Sequence, residues 1–93
     1  MSVFITLYAE TYENGYGTSY GYGNVIAASS SAESAKAAAP LQWDESRRAD
    51  VEIDWSTTDF GYETPDLPND ASGIEYGRGP NGSRFVVFEL PVS

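Results

Sequence analysis

Apolar side chains recur at every second position in two separate stretches of this chain, and that period constrains the fold more than any other feature. In "VFITLYAETY", residues 3 to 12, Val3, Ile5, Leu7 and Ala9 alternate with Phe4, Thr6, Tyr8 and Glu10. In "ADVEIDWS", residues 49 to 56, Val51, Ile53 and Trp55 alternate with Asp50, Glu52 and Asp54. A period of two belongs to a β-strand whose two faces meet different surroundings. The second stretch is the clearest amphipathic strand in the chain.

The segments between and after these strands complete a pattern. "ENGYG" reads as a turn, and "TSYGYGNVIAA" as a returning strand that Gly21 and Gly23 weaken or bulge, so the opening third is a long hairpin. In "SSSAESAKAAAP", Ser30 and Glu33 have the spacing of a capping box, alanines carry a helix of about nine residues, and Pro40 stops it. A helix that short is not stable alone, so its small alanine face must lie on the sheet. "LQWDESRR" is irregular. "TPDLPNDASG", with two prolines, an Asn, a Gly and two Asp, reads as a surface loop. "GIEYGRGPNGSRFVVFELPV" contains two β-rich runs about "GPNG", where Pro80 suits the first corner of a type I turn and Gly82 the left-handed position after it.

The order is β-β-α-β-β-β. It predicts an α+β fold with a mostly antiparallel sheet of about five strands and one short helix on a face, in a single small domain spanning residues 1–93. A chain of this length buries roughly 60–65% of its unfolded surface, enough for one core but not two. Hydrophobic residues at 41% and aromatic residues at 14% are ordinary for a packed globule.

The ionisable residues narrow the function. There is no cysteine and no histidine. That excludes disulfides, thiolate metal sites, thiol nucleophiles and histidine-based catalysis. Asp and Glu number 14 against 5 Lys and Arg, for a formal net charge of −9. Such a chain is repelled by nucleic acid and by anionic membranes and is attracted to cations and basic proteins. The N-terminus has no basic region ahead of its apolar run, and no apolar run is long enough to span a bilayer. A cytoplasmic protein is the simplest expectation, without membrane association, and the missing cysteines agree with it.

The charge is also concentrated. Between Asp44 and Asp70 there are nine acids against Arg47 and Arg48, so this stretch holds −7 of the total −9. On a strand, Asp50, Glu52 and Asp54 would present carboxylates about 6.6 to 6.8 Å apart. Successive phosphates along one nucleic-acid strand are separated by roughly 7 Å, so such a row can occupy Lys and Arg sites built for phosphate. The alternative is a solvated face kept acidic for solubility and against edge pairing. Arg47 and Arg48 are expected to pair with Asp44, Glu45 or Asp50.

Tyrosines form a second candidate surface. Tyr16, Tyr20 and Tyr22 lie in the glycine-rich hairpin, with Tyr20 and Tyr22 on one strand face, where they suit protein contact or, less well, sugar stacking. The glycines there do not fit a dinucleotide or phosphate loop. Asp59, Glu63, Asp66, Asn69 and Asp70 supply oxygen ligands of the kind calcium takes, but without the EF-hand spacing. No resident metal or cofactor is expected. A carboxylate pair of the glycosidase type is conceivable chemistry, but a one-core domain seldom holds the cleft it needs, so no enzymatic activity is expected.

The succession "VFITLYAETYENGYGTSYGYGNVIAASSSAESAKAAA", then an acidic strand, then a closing hairpin, resembles the small acidic inhibitors encoded by phages and mobile elements, the anti-CRISPR proteins above all. The likeness is one of size, charge and element order and assigns no residues. It implies a non-enzymatic, stoichiometric inhibitor that docks on a CRISPR effector complex and blocks its basic DNA-binding surface or the recruitment of its nuclease. On that expectation Asp50, Glu52, Asp54, Asp59 and Glu63 meet Lys and Arg of the target, and Tyr16, Tyr20 and Tyr22 add desolvated contacts. An immunity or anti-restriction inhibitor of a nuclease, and a structural or accessory phage protein, are the alternatives.

Overall fold

A computed structural model describes residues 1–9, 11–13, 18–20, 24–61 and 64–92, with residues 11–13, 18–20, 24 and 81 described in backbone only. In chain order the elements are β1 (Ser2–Ala9), β2 (Thr11–Glu13), β3 (Thr18–Tyr20), β4 (Asn24–Ser29), α1 (Ala32–Ala37), β5 (Asp54–Ser56), β6 (Ser72–Arg78) and β7 (Arg84–Pro91). Five strands form one sheet in the order β4-β1-β7-β6-β5, antiparallel at every pairing. The fold is α+β, and of this sheet β1 and β4 precede the helix while β5, β6 and β7 follow it, the β-β-α-β-β-β order anticipated above. The long opening hairpin is present but divided: β1 pairs with β4 in the main sheet, while β2 and β3 pair separately between them.

β7 is the central strand because its sequence is apolar without alternation. Phe85, Val86 and Val87 are fully buried and Phe88 nearly so, which requires cover on both faces of the sheet. On one face, Thr6 stands opposite Val87 and Tyr8 opposite Phe85, and α1 with the 3-10 turn Ala39–Gln42 lies over them. On the other, Leu7 stands opposite Val86 and Ile5 opposite Phe88. There the cover is the connection between β5 and β6, which brings Phe60, Leu67 and Ala71 onto the cluster of Leu7, Val86 and Phe88, beside Ile74, Tyr76 and Leu90 of the sheet. Each large side chain buried this way contributes about 1.5–3 kcal/mol. The segment expected to be a surface loop is therefore half core: Pro65 is buried and Leu67 packs on the cluster.

The helix approaches closely because its contact residues are alanines. Ala35 and Ala39, four apart, are fully buried. The hydroxyl of Thr6, also fully buried, donates to the Ala35 carbonyl at 2.6 Å, so this polar group in the core is satisfied. The cap is one residue later than the spacing of Ser30 and Glu33 suggested. Ser31 has the extended backbone of an N-cap (φ −146°, ψ 157°), and its side chain accepts the Ser34 N–H at 3.1 Å. Glu33 falls in the first turn, where the helix dipole favours an acid. The α-helix spans six residues, shorter than the expected nine. Pro40 does not end the turning of the chain; it opens the 3-10 turn that follows, where its missing N–H is no loss.

The closing hairpin turns at Pro80–Gly82 with Gly82 at φ +74°, the left-handed position anticipated for it. Gly79 N–H donates to the Ser83 carbonyl at 2.9 Å and closes the ladder.

The expected acidic strand is where the structure departs most from the sequence pattern. Only Asp54–Ser56 enters the ladder; Asp50 belongs to a 3-10 turn, Arg48–Asp50, and Glu52 to an extended stretch without strand pairing. The reason is the length of β6. Asp54 pairs with Arg78, the last residue of that strand, and beyond Arg78 the chain turns at Gly79–Pro80, so nothing remains for residues 50–53 to pair with. The alternation itself survives: Asp50, Glu52 and Asp54 are exposed, while Val51, Ile53 and Trp55 are partly buried.

Candidate functional site: an acidic rim on the β5 edge

Asp50, Glu52 and Asp54 line one open depression of about 750 Å³, together with Ile53, Arg78, Gly79 and Pro80. The pairing of Asp54 with Arg78 brings the acidic segment against the β6–β7 turn, so the opposite wall is Gly79 and Pro80. Three of the predicted residues thus share one surface even though they are not three rungs of one strand. None of the three carboxylates forms an ion pair with a described residue. Unpaired carboxylates at an exposed edge remain available to a cationic partner.

Arg78, which the sequence reading overlooked, is the one base on this rim. Its guanidinium is not committed to the acids. Nη1 donates to Ser56 Oγ and to the Thr58 carbonyl, each at 3.2 Å, and Nη2 to the Asp59 carbonyl at 2.9 Å. The same group lies over the Phe60 ring, 4.8 Å from its centroid. Arg78 therefore fastens the chain leaving β5 to the sheet and forms no ion pair with the three carboxylates.

Asp59 stands apart from the row. Its Oδ1 accepts the Gly61 N–H at 3.0 Å, a local turn in which Gly61 takes φ +65°. Its charge acts on Tyr76, whose phenol is pushed above its usual range by burial first and by the Asp59 carboxylate second. Glu63, Tyr16 and Tyr22 lie outside the described residues. Tyr20 is placed by its backbone opposite Thr11 in the β2–β3 pair.

The bases of the acidic stretch behave differently from expectation. Arg48 Nε donates to the Trp43 carbonyl at 3.0 Å, and neither Arg47 nor Arg48 forms an ion pair with a described carboxylate. The ion pair seen among the described residues is elsewhere: Lys36 of α1 reaches Glu75 of β6 at 2.6 Å and ties the helix to the sheet. Among the described residues, no three Asp or Glu side chains converge as metal ligands do, and no helix is long and apolar enough to cross a membrane.

Comparison of the chain with protein-family models, with curated proteins and with solved structures gives no match.

Proposed function

We propose that this protein is a non-enzymatic, stoichiometric inhibitor that docks its acidic β5 edge onto the basic surface of a nucleic-acid-binding protein. One observation carries the reading: Asp50, Glu52 and Asp54 are exposed, lack ion-pair partners among the described residues, and line the same open depression with an apolar wall of Ile53 and Pro80. That arrangement suits Lys and Arg side chains, whose charged ends meet the carboxylates while their aliphatic stems lie on the apolar wall. The concentration of −7 of the net −9 between Asp44 and Asp70 supplies long-range attraction to such a surface. Following the resemblance in size, charge and element order, the first target to try is a CRISPR effector complex, with the protein acting as an anti-CRISPR inhibitor of its DNA binding or nuclease recruitment.

The test is to capture targets from bacterial lysate with the tagged protein at low and moderate salt. The retained protein is then titrated with the parent and with the variant Asp50→Asn, Glu52→Gln, Asp54→Asn. On this reading the retained protein binds nucleic acid, and the variant inhibits it more weakly with a shallower salt dependence. A variant that inhibits as well as the parent removes these carboxylates from the mechanism. Recovery of virion components alone assigns the protein to phage structure.

A further inference from the structure

The two edges of the sheet differ in chemistry. β5 is three residues long and carries Asp54, which discourages pairing with another strand. β4, at the opposite edge, is six residues, "NVIAAS", without charge or proline. It lies in the longest uncharged interval of the sequence, from Asn14 to Ala32. Among the described residues no backbone hydrogen bond reaches its outer edge. Val25 on this strand is 63% exposed.

A bulge arranges the exposed side chains. The register with β1 slips between Thr6 and Leu7, so that Ala27 faces Thr6, Val25 faces Leu7, and Ile26 is the extra residue. Residues three apart in a regular strand stand on opposite faces; here Val25 opposes Leu7 and Ala28 opposes Ile5, which both belong to the cluster on the face away from the helix. Val25 and Ala28 are both exposed on that one side.

We infer that β4 is a self-association edge, pairing antiparallel with β4 of a second copy of this chain to form a continuous ten-stranded sheet. The occupant follows from charge and symmetry. Two copies at −9 each repel over most of their surface, and β4 is the edge at which they meet without opposing like charges. A two-fold axis between Ile26 and Ala27 sets Val25 of each copy against Ala28 of the other, covering both exposed side chains in one self-complementary contact. The acidic β5 edge lies four strands away, about 19 Å at the usual inter-strand spacing, so the dimer keeps both acidic rims outward. The inference goes beyond the proposed function and fails or stands separately from it.

The experiment is sedimentation equilibrium of the parent protein and of Val25→Lys, Ala28→Lys and, as a control at an exposed site off β4, Val92→Lys. Six residues of strand addition give a small interface, so dissociation constants on the order of 10 μM to 1 mM are expected, and the protein is studied across that range. The parent and Val92→Lys should approach twice the 10.1 kDa chain mass. Val25→Lys and Ala28→Lys, folded by circular dichroism, should dissociate roughly tenfold or more readily, because each sets a solvated charge in the strand contact. All three substitutions reduce the net negative charge equally, so a general charge effect moves the control as well. A parent that keeps the single-chain mass throughout, or association that survives both β4 substitutions, overturns the inference. Binding of Val25→Lys to a captured basic partner should equal that of the parent, which separates the two edges.

Discussion

The indole ring of Trp55 lies against the backbone of Gly77, its cross-strand partner, so closely that a β-carbon at residue 77 would come within 2.7 Å of the ring and 2.8 Å of the Ile53 side chain. The glycine is needed for space, since its φ is not in the left-handed region, and the space is what lets β5 lie flat on the edge of the sheet. Gly77→Ala should destabilise the protein by about 1–3 kcal/mol, the usual consequence of overpacking, measured as a lower urea midpoint at unchanged slope. Because Ile53 and Trp55 alternate with Glu52 and Asp54, displacing them also disperses the acidic rim, so the same variant should bind a basic partner less well.

Tyr76 gives the stability an alkaline limit. Its phenol packs edge-on against Phe60, with ring centroids 5.3 Å apart, and its ionisation is opposed by burial and by the nearby Asp59 carboxylate. A phenol with a raised value in the folded state holds its proton where the unfolded chain has released it. Its contribution is therefore fully present below pH 10.0, the ordinary tyrosine value, and is lost as pH rises through the higher folded value. The difference in phenolate absorbance between the parent and Tyr76→Phe should place the Tyr76 titration above that value. Asp59→Asn should bring it partway down while leaving the larger effect of burial.

How much of this was legible in the sequence is clearest in two segments. The run Phe85 to Phe88 is apolar at four consecutive positions, which marks a strand covered on both faces, and β7 is accordingly central. From that alone the sheet's middle could have been placed, and with it the need for a second covering layer beyond the helix. What supplies the layer was hidden, because the segment around "TPDLPNDASG" looks like solvent-exposed loop by composition while Phe60, Leu67 and Ala71 pack on the core. Isolated apolar residues among turn formers carry no period from which burial can be read.

The acidic stretch shows the converse limit. Alternation of Asp50, Glu52 and Asp54 with Val51, Ile53 and Trp55 correctly gave which side chains are exposed. It could not give the ladder, since a strand needs a partner and β6 ends at Arg78. The serines before the helix pose a similar problem: Ser30 and Ser31 are chemically equivalent caps, and backbone geometry selects Ser31. Arg78 escaped notice because nothing local marks it, its acceptors being supplied by residues about twenty positions earlier.

Like charges gathered on one rim oppose folding as well as serving binding. Asp50→Asn, Glu52→Gln and Asp54→Asn together remove three exposed negative charges that lack ion-pair partners among the described residues. The triple variant should be more stable than the parent at low ionic strength by roughly 0.5–1 kcal/mol, with the gap closing as salt approaches about 1 M, where screening acts within ~3 Å. Thermal unfolding across a salt series checks this. A parent with the higher melting temperature at low salt contradicts it, and means that these carboxylates make stabilising contacts.

Arg78 tests whether the rim is acidic because its base is occupied. Its three hydrogen bonds and its place over Phe60 hold the chain leaving β5 against the sheet. Since the residue is exposed, the loss on Arg78→Gln should be modest, about 1 kcal/mol. Hydrogen exchange should quicken at residues 57–61 more than in β7. Arg78→Lys should not restore protection, because an ammonium group lacks the planar fork that spans separate acceptors. Removing this positive charge also leaves the depression purely acidic. If the depression receives Lys and Arg, Arg78→Gln should bind a captured basic partner at least as tightly as the parent, despite the lower stability; weakened binding at full folding would make Arg78 itself a contact residue.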